Sequence, residues 1–136
     1  MKKLLFTCFY AAALTLGGCG LESSVSSAQI KANLQNAGYT VEVMGKTEAE
    51  GRIQNFKFVV EIVDAVYTEK GENEVLLAFC CKNIADADKL CTENIALLNS
   101  FAERYTDKVQ VGSHNNVVYT GSAGPVGAAG FPVSNK

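Results

Sequence analysis

Val75-Leu76-Leu77-Ala78-Phe79-Cys80-Cys81 is the stretch on which the fold turns. Seven uncharged residues, rich in branched and aromatic side chains, read as a β-strand. Strand alternation places Val75, Leu77, Phe79 and Cys81 on one face. That face is the bulkier and is expected to meet the core. Leu76, Ala78 and Cys80 fall on the other face, expected to stay open and to be the place where a partner would dock.

The neighbours of this strand set its context. Before it, Glu69-Lys70-Gly71-Glu72-Asn73 is a polar loop of hairpin length. Before that loop, Phe56 to Thr68 is the longest β-like run of the chain. Phe56, Phe58, Val60 and Ile62 share one side of it, and Lys57, Val59, Glu61, Val63 and Ala65 the other, with a bend expected near Asp64. After the strand, Asn83 and Asp86 mark a helix start. Ala87, Leu90, Cys91, Ile95, Leu98, Phe101, Ala102 and Tyr105 then recur at three and four, which predicts one long amphipathic helix.

Further out, Ser26 and Gln29 have the spacing of a capping box and Val25 and Ile30 that of a hydrophobic staple. They open a short helix with Ile30, Leu34 and Ala37 on its stripe and Gly38 at its end. Tyr39 to Val43 alternates as a half-buried strand, and Gly45 to Gly51 reads as a polar connection. Val109 to Val111 and Val117 to Tyr119 flank Gly112 to Asn116 as a second hairpin. The order α-β-β-β-α-β-β, with loops too short for parallel crossovers, predicts an α+β domain. Its sheet is expected to be mostly antiparallel, with four or five strands and the helices on one face. The domain is expected over 26–121, followed by a Gly-rich segment over 122–136.

The N-terminus has a different character. Lys2 and Lys3 precede an uncharged, mostly apolar run from Leu4 to Leu16. At 13 residues it is too short for a permanent span of roughly 30 Å, but it has the form of a secretory signal. The run ends in Leu16-Gly17-Gly18-Cys19, which resembles the lipobox of bacterial lipoprotein precursors. The resemblance implies a signal peptide over 1–18, cleavage between Gly18 and Cys19, and diacylglyceryl modification of the Cys19 thiol. It implies a protein held on the extracytoplasmic side of a bacterial membrane, in the cell envelope. Residues 19–25 would be the lipidated cysteine and its tether, whose six residues from Gly20 to Val25 reach about 20 Å.

Removing the first 18 of 136 residues leaves 118, the size of one domain with one core. The 12 basic residues become 10 against 14 acidic ones, a net charge of −4. These charges are scattered, so a basic footprint for nucleic acid is lacking. Five cysteines become three free to form bonds: Cys80, Cys81 and Cys91. Adjacent strand residues point to opposite faces, so Cys80 and Cys81 do not form a dithiol. Cys81 and Cys91 both fall on core faces and could form a disulfide, but Cys91 lies about 12 Å along its helix, nearer the level of Leu77. Buried structural thiols, a Cys81–Cys91 disulfide and a redox or metal site all stay open. There is no C-x-x-C, and no zinc-ligand spacing.

His114 is the sole histidine and is expected at an exposed hairpin tip, where a general base has no positioned partner. Gly121, Gly124, Gly127 and Gly130 recur every third residue. Three triplets are too few for a collagen helix, and no strand-to-helix context makes them a dinucleotide cradle. A small-residue helical turn opened by Ser122, or a tail ending at Phe131, is the expectation. Tyr39, Tyr119, Phe56 and Phe58 are expected mostly in the core.

No catalytic constellation, metal site or cofactor motif emerges from these residues. The functional expectation is therefore a small lipid-anchored binding module, attached to the membrane through Cys19, with a protein or ligand partner near the bilayer and no nucleic acid. Its rivals are an envelope thiol protein using Cys81 and Cys91, and an accessory or structural subunit of an envelope complex.

Overall fold

A computed structural model describes residues 24–134. Gly18 and Cys19, and with them the cleavage and lipidation sites, lie outside the described residues. The element order is α1 (Ser27–Asn36), β1 (Val41–Gly45), α2 (Lys46–Arg52), β2 (Ile62–Lys70), β3 (Glu74–Cys81), α3 (Ile84–Glu93), α4 (Ile95–Glu103), β4 (Gln110–His114), β5 (Val117–Gly121) and α5 (Ala123–Ala128). The fold is α+β, with one five-stranded sheet in the order β1-β2-β3-β5-β4 and every neighbouring pair antiparallel.

The helices cover both faces of this sheet, not one. On the first face, Ala49 of α2, Ala87, Leu90 and Cys91 of α3 and Leu98 of α4 pack with Met44, Ala65, Leu77, Phe79, Cys81 and Val118. On the second, Ile30 and Leu34 of α1 and Val126 of α5 pack with Val66, Leu76, Ala78, Cys80 and Val117. The face expected to be open is thus closed: Leu76 and Ala78 are fully buried and Cys80 nearly so. The physical reason lies in the central strand. β3 is apolar on both sides, as a strand with both faces covered must be, and an uncovered Leu76-Ala78-Cys80 row would leave apolar area in water.

Local chemistry explains where elements begin and end. The expected capping box forms: the Gln29 amide N–H donates to Ser26 Oγ (3.2 Å), and the Ser26 N–H donates to Gln29 Oε1 (3.0 Å). Gly38 adopts φ +95°, letting its own N–H reach the Gln35 carbonyl and the Tyr39 N–H the Leu34 carbonyl, both at 3.0 Å. The polar connection at 45–51 is largely the short helix α2. Residues 56–61 are not strand; they run beside the core, where the Phe56 ring stacks on Phe79 (4.7 Å) and Phe58 meets it edge-on (5.8 Å). The bend near Asp64 is a β-bulge between Ile62 and Asp64. It adds one residue, Val63, so Ala65 returns to the core side of Ile62 instead of facing away.

The single helix expected from Asn83 to Tyr105 breaks at Asn94. This side chain is buried and donates from Nδ2 to the carbonyls of Leu90 and Lys57 (2.9 Å each), while its Oδ1 accepts from the Lys57 N–H (2.7 Å). One amide therefore closes α3 and clasps the 56–61 segment to it. The second hairpin turns at Asn115 (φ +54°) and Asn116, so His114 is the last residue of β4 rather than a tip residue. The Gly-rich stretch, expected as a segment apart from 26–121, is integrated: α5 and Phe131 complete the second core. Gly121 is required there because a Cβ would collide with the Val75 carbonyl, while Ser122 Oγ accepts from the Val75 N–H (3.0 Å).

Candidate functional site

The three cysteines among the described residues, Cys80, Cys81 and Cys91, are all buried free thiols. Cys80 and Cys81 face opposite cores, as strand alternation requires, and Cys81 shares its core with Cys91 without a disulfide. The reason is the one legible in the register: Cys81 ends β3 while Cys91 sits about two turns into α3. Burial pushes the Cys81 thiol from its ordinary 9.0 up to about 12, with the Asp86 carboxylate adding to the effect. Burial also pushes Cys80 well above its ordinary value, helped by the adjacent Asp64, and raises Cys91, helped by Asp88. All three are held as neutral thiols, the form that is a poor nucleophile and a poor metal ligand.

His114 is half-buried, its ring 6.0 Å from Phe131, which in turn stacks on Tyr119 at 4.7 Å. It is a packing residue of the second face. Among the described residues no three His, Cys, Asp or Glu side chains come together as a metal site, and no helix is long and apolar enough to cross a membrane.

A groove of about 440 Å³ opens on the first face, between α2, the exposed side of α4 and the strands β1 and β2. Met44, Leu77 and Leu97 form its apolar floor, and Tyr67 and Phe101 form an aromatic wall with ring centroids 6.5 Å apart at 74°. Tyr105 continues the wall, 6.0 Å from Phe101. The Tyr67 hydroxyl donates to the Glu69 carboxylate. Burial, then Glu69 and the neighbouring Tyr105, push the Tyr67 phenol far above its ordinary value, so it stays protonated.

Two guanidinium groups border this groove, and they are the only two arginines of the chain. Arg52 donates to Glu42 (2.7 Å) and reaches Glu48 (3.5 Å). Arg104 follows the last residue of α4 and lies over the Phe101 ring, 5.2 Å from its centroid. It has no ion-pair partner among the described residues. The lining includes no Asp or Glu.

Sequence reasoning placed Phe101 and Tyr105 on an apolar helix face and gave no role to Arg52 or Arg104. The available signal was compositional: two arginines stand among ten lysines, one of them three residues beyond a phenylalanine on a helix. No protein-family model, curated protein or solved structure matches the chain.

Proposed function

We propose that this chain is a small, non-catalytic binding module, anchored through Cys19 on the extracytoplasmic side of a bacterial membrane, that holds its ligand in the groove between α2 and α4. The observation carrying this reading is the groove itself, an apolar and aromatic floor bordered by both arginines of the chain. Its volume suits a small organic ligand.

The path of the chain supports the arrangement. The Val25 N–H donates to Asn116 Oδ1 (2.6 Å) and Asn116 Nδ2 donates back to the Val25 carbonyl (3.0 Å). A tether from Cys19 therefore joins the domain at the β4–β5 turn, the end of the sheet where Cys81 pairs with Asn116. Leu77 in the groove floor lies four residues, about 13 Å, further along β3. The groove is thus set back from the end nearest the bilayer.

The thiol reading is the weaker one, because buried cysteines with raised pKa values supply little thiolate near neutral pH. The test is made on the full-length protein purified from membranes. Small molecules released on denaturation are compared by mass spectrometry between wild type and Ser100→Phe, an exposed position of the lining chosen to fill the groove. A compound carried by the wild type and lost from the variant is the expected result. Equal carriage by both proteins would overturn the groove as the site, and a Cys19→Ser protein that still partitions with membranes in mature form would overturn the anchor.

A further inference from the structure

The charge on the groove runs against the charge of the chain. Acidic residues outnumber basic ones 14 to 12, yet the lining holds two cations and no carboxylate. The two cations differ in state. Arg52 is matched by Glu42 and Glu48, with the bond to Glu42 holding its guanidinium firmly charged. Among the described residues Arg104 has no ion-pair partner and lies over the Phe101 ring. Its planar fork of donors fits a carboxylate in two parallel hydrogen bonds.

Besides the arginines, the groove is lined by the rings of Tyr67, Phe101 and Tyr105 and by Met44, Leu77 and Leu97. We propose that the groove binds a small organic acid with a flat apolar body, its ring against Tyr67 and Phe101 and its carboxylate on Arg104. This rests on the groove being the binding site and adds the class of ligand.

The chain contains no tryptophan, so an indole probe's own fluorescence anisotropy reports its binding. Full-length protein in lipid nanodiscs, corrected against empty nanodiscs, is titrated with indole-3-acetate, neutral indole-3-acetamide and cationic tryptamine. Indole-3-acetate is expected to bind about tenfold more tightly than the amide, the size of one charge-assisted hydrogen-bonded contact. Arg104→Gln, at an exposed position, is expected to bring the acid down to the level of the amide with an unchanged melting profile, and Arg104→Lys to restore part of the difference.

Equal affinity for acid and amide, with both lost in Ser100→Phe, overturns the ligand class and leaves the groove as the site. Binding that persists in Ser100→Phe overturns both readings. Failure of all three probes to bind, a preference for tryptamine, or displacement of the acid by a far tighter peptide carboxylate also overturns the proposal of a small organic acid.

Discussion

Asn94 is buried to 3% exposure, and its amide serves both the end of α3 and the backbone of Lys57. Asn94→Ala would take the Asn94 amide away from the Lys57 N–H and the Leu90 carbonyl, while the Lys57 carbonyl keeps the Val59 N–H (2.8 Å). The expected loss is about 2–4 kcal/mol, since each orphaned buried polar group costs about 1–3 kcal/mol. Urea unfolding checks it, and a midpoint within error of wild type would refute the role. The helix break was not legible because two of the three bonds of this side chain join residues 37 positions apart. Arg104 was equally silent. Its meaning comes from Phe101 beneath it and from strands that meet α4 only after folding. The cysteines were more open to reading, since alternation and helical rise, both local, already separated Cys80 from Cys81 and put Cys91 nearer the level of Leu77 than of Cys81, while a Cys81–Cys91 disulfide stayed open.

At the scale of elements, α1 was the most legible. Its capping box, stripe and glycine stop lie within a dozen residues and act on one another directly. α5 was the least. Ala-Gly-Pro-Val-Gly-Ala has little intrinsic helix preference, and it forms because Val126 enters the second core while Ser122 binds Val75. Ending the chain after Ser122 would uncover Leu76, Ala78 and Val117. The truncated protein is expected to lose its cooperative thermal transition and to bind a hydrophobic dye. Val126→Ala, which should still fold, is expected to cost about 2 kcal/mol through the cavity it leaves. An unchanged melting profile in both variants would show that the segment is dispensable.

For the molecule as a whole, several neutral acids are held protonated by the fold. Cys81 rises from 9.0 to about 12 through burial and Asp86. Tyr39 rises from 10.0 to about 12 through burial and its bond to Glu74. Both bind protons more tightly folded than unfolded, so the stabilisation is complete below about pH 9 and falls as pH rises towards 12. Guanidinium midpoints at pH 7.5 and 10.5 should show the drop, and Cys81→Ala and Tyr39→Phe should each shrink it. A midpoint that rises with pH would contradict the sign. The α+β class, the antiparallel sheet and most strand positions were determined by the sequence alone, because periodicity, caps and short loops act between near neighbours in the chain. The lipobox resemblance is likewise carried by four adjacent residues. Only the tertiary structure decided that β3 is covered on both faces, that Asn94 divides a helix, and that both arginines border one groove. Those outcomes depend on which distant surfaces bury one another, and burial is a property of the assembled layers rather than of any segment.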